Sequence, residues 1–542
     1  GLPRELLEPV KDPLGDLVSR WARTHGPFRA EDLAARWGVG TGVVHAALER
    51  LLAQDRVLEG EFLPGGRGRE WVDAEVLKSL KRRSLAKLRK QVEPVEPAAL
   101  ARFLADWQGL SRPRRGLDAL LSAVELLQGA PLVASALERE VLAARIQPLR
   151  PGDLDVLFSA GEVIWRGVEP LGSRDGRVAL YLTDHYRLLA PPPAKAPGEL
   201  CEKLRVELRK RGASFFADLA AQTGAFPADL LKALWDLVWA GEVTNDTLAP
   251  LRSYLRGESK EHRAAHSGRP FRSRRIGPPG SEGRWSLLPA PSGTPAERAA
   301  ALAQALLARH GIVTREAVHA EDVAGGFAAV YPVLKVMEEG GRARRGYFVA
   351  GLGGAQFAVP GAEERLRSFR EPGASNAAAF GLRPGADPSA PSAQEPLTLV
   401  IAATDPANPY GATLPWPRKG EDGESRAQRA AGAQVVLHDG ALIGWLGRGE
   451  HNLHTFLPED EPAHGQCARA LARALAALVD EGRRKALLIA RVDGEDVNAA
   501  RLAPELKAAG FTAGIKGYLK RAPLGRDLPA AEPEDAAEAE DA

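Results

Sequence analysis

HGPFRAEDLAARWGVGTGVVHAALERLLAQDRVLEGEF, residues 25–62, places two short helices around a glycine-rich turn and closes the second on a small acidic turn that runs into a strand. The closing phrase recurs: LLAQDRVLEGEF from Leu51, LFSAGEVIWRG from Leu157, LVWAGEVTND from Leu237 and VMEEGGRARRGYF from Val336. Each is preceded by helical sequence, so the repeating unit is a helix-turn-helix followed by a hairpin, the layout of a winged helix. Such a unit can present its last helix to a groove of DNA and its wing to the backbone.

Working outward, the repeat predicts an α+β chain of four tandem winged-helix domains followed by a β-barrel-like domain. The expected boundaries are 1–93 for the first winged helix with a basic connector helix, 94–193 for the second, 194–255 for the third, 256–290 for a basic linker and 291–375 for the fourth. Residues 376–524 are expected to form the barrel-like domain, because strand patterns there surround one strong helix, CARALARALAALVDEGR from Cys467. Residues 525–542 read as a disordered acidic tail. At 542 residues the chain is long enough for several such modules.

Charge is distributed unevenly. The formal net charge is +2, yet residues 532–542 carry six acids and no base, leaving +8 on the remainder. In EVLKSLKRRSLAKLRKQVEP, the bases Lys78, Lys81, Arg82, Arg83, Lys87, Arg89 and Lys90 accompany a leucine stripe of Leu77, Leu80, Leu85 and Leu88. Solvated helix faces usually mix signs, so a one-sign face points to phosphate contact, with an ordinary packed connector as the plainer explanation. The stretch 256–284 has eight bases against three acids and includes Arg272, Arg274 and Arg275. It reads as a basic arm or a solvated connector. Arg342, Arg344 and Arg345 cluster where the fourth wing begins. Trp235 and Trp239, four apart on one helix, read as core packing rather than a platform for bases.

Several chemistries are excluded. No GxxxxGK[ST] loop occurs, so the chain should not hydrolyse ATP by itself. GLGG at Gly351 lies within a predicted wing. The HxE and PCxxC pairing of zinc deaminases is absent, and HNLH at His451 reads as an edge-strand pair, so no metal or cofactor is expected. Two cysteines, Cys201 and Cys467, are too few for a disulfide framework and fit a reducing cytoplasm. No stretch approaches 18 consecutive apolar residues, and no membrane association is expected. Gly1 in place of an initiator methionine suggests a piece of something larger. Any catalysis on a flipped base would need a carboxylate or amide beside a pocket, for which Asp405 and Gln356 are the candidates. Plainer readings are turn chemistry for Asp405 in TDPANPYG and a solvent-facing strand position for Gln356.

Longer phrases carry a resemblance. THGPFRAEDLAARWGVG from Thr24, EGEFLPGGRGREWVDAEVLKSLKRRSLAKLRKQVEPVEP from Glu59 and RGLDALLSAVELLQGAPLVASALE from Arg115 belong to the set. FRSRRIGPPGSEGRWSLLP from Phe271, RRGYFVAGLGGAQFAVPGAEERLR from Arg344 and TDPANPYGATLPWP from Thr404 complete it. Together they resemble the C-terminal region of the bacterial large helicase-related (Lhr) family of DNA repair helicases. The resemblance implies an N-terminal motor, absent here, that uses ATP and Mg to translocate 3′ to 5′ on single-stranded DNA. For this chain it implies tandem winged helices and a barrel that bind DNA, single-stranded or duplex, partner the motor of the same parent protein and assemble as a homo-oligomer. A class of winged-helix DNA glycosylases shares the arrangement, so removal of damaged or uracil bases is the alternative; the paired-glutamine motif of those enzymes is not located here.

Overall fold

The computed structural model describes residues 11–63, 68–91, 94–256, 277–370, 396–417 and 427–522, the side chains of 85–91 excepted. The acidic tail and Arg272, Arg274 and Arg275 lie outside the described residues. The chain divides into two compact units, residues 1–93 and 94–542.

In the first unit, helices Pro13–Thr24, Ala30–Trp37 and Thr41–Leu52 precede a hairpin of Val57–Gly60 and Glu70–Asp73. Asp12 caps the first helix by accepting from Gly15 N at 3.0 Å. Gly38, at φ 63°, ends the second helix in the left-handed region that glycine enters at little cost. Val18, Leu33, Val44, Leu48, Leu51 and Trp71 are fully buried. They recur at helical spacing, and that is why three short helices close around one core. Phe28 and Trp71 exchange backbone hydrogen bonds of 2.9 and 2.8 Å, adding a third strand position beside the hairpin.

The second unit repeats this strand arrangement three times: the first strand of each module pairs with the last, which pairs with the middle one. The pairings are Leu132–Val133 with Asp175–Leu182 and Val163–Leu171, and Ser214–Phe215 with Arg284–Leu287 and Val243–Asn245. The last is Ile312–Val313 with Gln356–Ala358 and Arg344–Gly346. One expected boundary changes. The stretch 256–290, read as a linker between modules, contains the strand Arg284–Leu287 that completes the third sheet. Trp285, with no exposed surface, anchors that strand by packing edge-on to Trp235 at 6.1 Å. The third module therefore extends to Leu287 rather than ending at residue 255. A single buried tryptophan outweighs the glycine, proline and arginine texture around it.

The modules starting at residues 94 and 194 share one apolar core, running from Leu120 and Val124 through Trp165 to Leu234 and Trp285. Trp235 and Trp239 stack at 5.4 Å within this core, as packing residues.

The closing region contains no closed sheet among the described residues, so the barrel-like expectation is corrected. It has an open six-stranded sheet with edges Thr398–Ala402 and Glu495–Asp496, and a separate sheet of Ala486–Ile489, Gly517–Arg521 and Thr512–Gly514. The helix Ala463–Asp480 lies across both. Its Leu471, Leu475, Leu478 and Val479 pack with Val436, Ile443, Leu446 and Leu453 from the large sheet and Leu487 and Ile489 from the small one. A sheet whose apolar face is covered by a helix has no need to curl and cover itself. Gly444 lets the two layers meet, since a Cβ there would stand 2.6 Å from a Leu471 methyl.

Candidate nucleic-acid interface

The basic helix forms as Ala74–Gln91. It starts where Asp73, at the end of the hairpin, accepts backbone hydrogen bonds from Glu75 and Val76 at 2.9 and 3.2 Å, satisfying two amides that a helix start leaves unpaired. Leucine, lysine and arginine are strong helix formers and sustain it. Lys78 pairs with Glu75 at 2.8 Å. Lys81, Arg82 and Arg83 are exposed and, among the described residues, make no ion pair. Lys81 and Arg82, at i+3 and i+4 from Lys78, share its side of the helix, and Arg83, at i+5, is turned away from it. Lys87, Arg89 and Lys90 continue the backbone helix, with side chains outside the described residues.

The third helices of the modules, expected to be the DNA readers, are poor in bases. On Thr41–Leu52 the exposed side has Val43, Ala46 and Glu49, and its one arginine, Arg50, is held by Asp12 at 3.0 to 3.2 Å. Asp153–Ser159 begins with Asp153 and Asp155 and has no base. Pro227–Trp239 is covered by the preceding hairpin: at Gly167 a Cβ would meet Val238 O at 2.3 Å, and at Gly176 the Trp239 ring at 2.3 Å. Gly326–Glu339 has Lys335 alone.

The three arginines of the fourth hairpin have different fates. Arg344 is bound by Glu363 and, at 2.8 Å, by Glu364. The Arg345 guanidinium lies 5.7 Å from the Tyr331 ring centre and 6.0 Å from that of Phe357. Arg342 is exposed, with no ion pair among the described residues.

Asp405 and Gln356 are both inaccessible to solvent. The Asp405 carboxylate accepts from both terminal nitrogens of Arg145, at 2.9 and 2.8 Å, and from Ala407 N at 2.8 Å. The last bond is the turn chemistry expected of an Asp before Pro. Arg145 also donates to Gln108 Oε1 at 2.6 Å, and Gln108 Nε2 donates to Arg309 O at 3.1 Å. Arg309 in turn makes two bonds of 2.7 Å to Glu321, which His310 Nε2 approaches at 2.6 Å. Burial by itself would raise the Glu321 carboxyl, but the charge of Arg309 and the contact with His310 prevail and hold it at about 2. Gln356 does not face solvent as expected. Its Oε1 accepts from Phe348 N and Val349 N at 2.8 and 2.9 Å, and its Nε2 donates to Val349 O and Gly353 O at 3.0 and 3.3 Å. It braces the hairpin loop from within.

One carboxylate that sequence reading did not single out does line a cleft. Asp493 follows a strand at φ 57°, accepts from Thr455 N and Oγ1 at 2.8 and 2.6 Å, and borders a cleft of about 870 Å³ with His464, Glu495 and Arg501. A positive φ at a non-glycine residue was the only signal, and it belongs to the fold rather than to the sequence. Among the described residues no group of three His, Cys, Asp or Glu is placed to hold a metal ion, and no helix is long and apolar enough to cross a membrane.

Comparison with known proteins sets this geometry in a family context. Profiles described as the winged-helix domain of the large helicase-related protein match residues 95–183 and residues 292–378. Over 521 residues the chain is 43% identical to a Mycolicibacterium smegmatis protein named Lhr helicase/probable uracil glycosylase, covering 92% of this chain and 33% of that protein. Over 559 residues it is 32% identical to the Escherichia coli Lhr helicase/uracil glycosylase, covering 95% of this chain and 34% of that one. The chain thus spans about a third of the length of these relatives. Streptomyces sahachiroi DNA glycosylase AlkZ aligns at a TM-score of 0.38 and 14% identity, over 70% of this chain and 97% of that one, too loosely to support an argument.

Proposed function

Since the chain belongs to the large helicase-related family and corresponds to its C-terminal region, we propose that it is the non-motor part of an ATP-dependent 3′-to-5′ DNA helicase acting in repair. In this reading it binds nucleic acid and assembles the parent protein. All four helix-and-hairpin modules are winged helices used mainly as scaffold, and contact with the phosphate backbone is concentrated on a minority of the surface. The observation that supports it is the contrast on the first module. Its third helix has its only arginine tied to Asp12, whereas the following helix exposes Lys81, Arg82 and Arg83, none of which is in an ion pair among the described residues. Backbone contacts by lysine and arginine supply affinity without sequence preference.

The test is binding of labelled single-stranded and duplex DNA across a salt series by wild type and by the K81Q/R82Q/R83Q chain. Three lost phosphate contacts flatten the logarithmic salt slope by about 2 on single strands and by nearly 3 on duplex. An unchanged slope rejects the helix as a contact.

A second reading, base excision, is favoured by the names of both relatives, each of which includes uracil glycosylase. A flipped base needs a carboxylate beside open space. Asp405 is sealed beneath Arg145, whereas Asp493 borders a cleft. Incubation with uracil-containing oligonucleotides should give abasic sites with wild type and none with D493N; product from both variant and wild type removes Asp493, and no product from wild type removes the reading.

A further inference from the structure

We infer that the second unit contains a separate track for single-stranded nucleic acid, an arginine-lined pair of adjoining clefts that no contiguous stretch of sequence encodes. The inference rests on the proposed nucleic-acid binding and names a surface distinct from the basic helix. The clefts, of about 890 and 770 Å³, share Ala144, Gln147, Glu481 and Arg483 and so run into one another. The first is built by residues 134–151, the end of helix Ala249–Arg256 and the turn after helix Ala463–Asp480; the second adds that helix itself, the strand Thr398–Ala402, His438 and the loop at Leu110 and Pro113.

Besides Arg252, six arginines line them: Arg139, Arg150, Arg256, Arg469, Arg473 and Arg483. All six are exposed. Among the described residues, Arg139, Arg150, Arg256 and Arg473 have no ion pair and no side-chain hydrogen bond. Arg469 has only a 3.9 Å approach to Glu505, and Arg483 donates to Val400 O at 3.2 Å and feels the charges of Glu140 and Glu481 without an ion-pair contact. The two acids in the lining do little to balance them. Glu138 is engaged in two bonds, of 2.8 and 2.7 Å, by a seventh arginine, Arg252, which also binds Asp155. Glu481 alone remains.

Six largely unpartnered cations converging on one recess repel one another. Arg469 and Arg473 add to this, because like charges four apart on a helix destabilise it. Anion binding relieves both costs, and a chain of phosphates spaced along a strand matches cations spaced along a groove. The occupant is a single strand rather than a duplex because the clefts are recessed between packed elements. No phenylalanine, tyrosine or tryptophan lines either cleft, so there is no platform for stacking and binding is indifferent to base identity.

The test uses the whole chain with Arg139→Gln, Arg150→Gln and Arg473→Gln combined, three positions without partners whose loss leaves no buried group unpaired. Labelled oligothymidylate, oligoadenylate and a duplex are titrated across a salt series beside wild type and the K81Q/R82Q/R83Q chain. The expected result is a single-strand slope flatter by about 2, at about 0.7 for each phosphate released, equal for the two homopolymers and much smaller on duplex. A groove variant indistinguishable from wild type on single strands, while the helix variant is weakened, overturns the groove and leaves the proposed function standing. Equal flattening on duplex overturns the single-strand assignment. Wild type that binds none of the three removes the groove and the proposed function together. If thermal melting finds the triple variant misfolded, Arg139→Gln with Arg473→Gln alone carries the same comparison, with an expected change of about 1.4.

Discussion

The interior of the second unit and the exposed helix of the first use the same residue types to opposite ends. Arg145 and Arg309 are buried and held by Asp405 and Glu321, through a chain of contacts that links the module starting at residue 94, the module starting at residue 291 and the closing region. Lys81, Arg82 and Arg83 have no such partners. A buried charge is stable only when paired and hydrogen-bonded, so inside the protein arginine is a structural tie. Outside it is uncommitted charge, available to an anion. The chemistry of an arginine here is decided by whether an acid distant in sequence has been folded against it.

Four measurements can break or sharpen this contrast, and they are expected to differ in size. Arg145→Ala strands the Asp405 carboxylate without compensation and should cost about 3–5 kcal/mol, seen as a large fall in the thermal melting temperature. A fall no larger than that from K81Q/R82Q/R83Q would show that the buried pair is not a tie. Next is acid sensitivity. Because the Glu321 carboxyl is held near 2 in the fold, below its ordinary 4.5, its contribution is complete above about 4.5 and is lost as pH falls from there towards 2. That contribution is on the order of 3 kcal/mol. Glu321→Gln should therefore be less stable than wild type at neutral pH, with the gap closing in acid; a gap independent of pH would locate the stabilisation elsewhere. Gln356→Ala comes third. It leaves Phe348 N and Val349 N unpaired within the hairpin loop, at a cost of about 1–3 kcal/mol for each buried donor not rescued by water. Amide hydrogen exchange at residues 348 and 349 should report it directly. Smallest on this scale is K81Q/R82Q/R83Q itself, with a change in stability within about 0.5 kcal/mol while DNA binding weakens. A large loss of stability there would place that helix among the ties.

How much was legible in advance depended on how local the cause was. The helices of the first module followed from apolar spacing and from the glycines at 38 and 40, both local signals. Trp235 and Trp239 read correctly as core, since aromatics four apart on an apolar helix face inward. The barrel did not follow, because alternating strands look alike whether they close on themselves or are covered by a helix. Nor did the third module's last strand, which returns after a long basic stretch and is identified by the burial of Trp285. Asp405, in a turn, and Gln356, on a strand, stood out as chemistry-bearing residues. Their side chains instead hold the backbone beside them, the turn at Ala407 and the hairpin loop at Phe348 and Val349.

By itself the sequence determined the repeat of helix, turn and hairpin, the family, and the stretch where positive charge runs unopposed, since each depends on residues within a few turns of one another. Tertiary structure alone decided which charges are spent on acids about 260 residues away, as with Arg145 and Asp405, which third helices are covered by a neighbouring hairpin, and which arginines from three distant segments meet in one recess. The physical reason is that a charge's availability is set by the dielectric and the partners around it, and only folding brings these together.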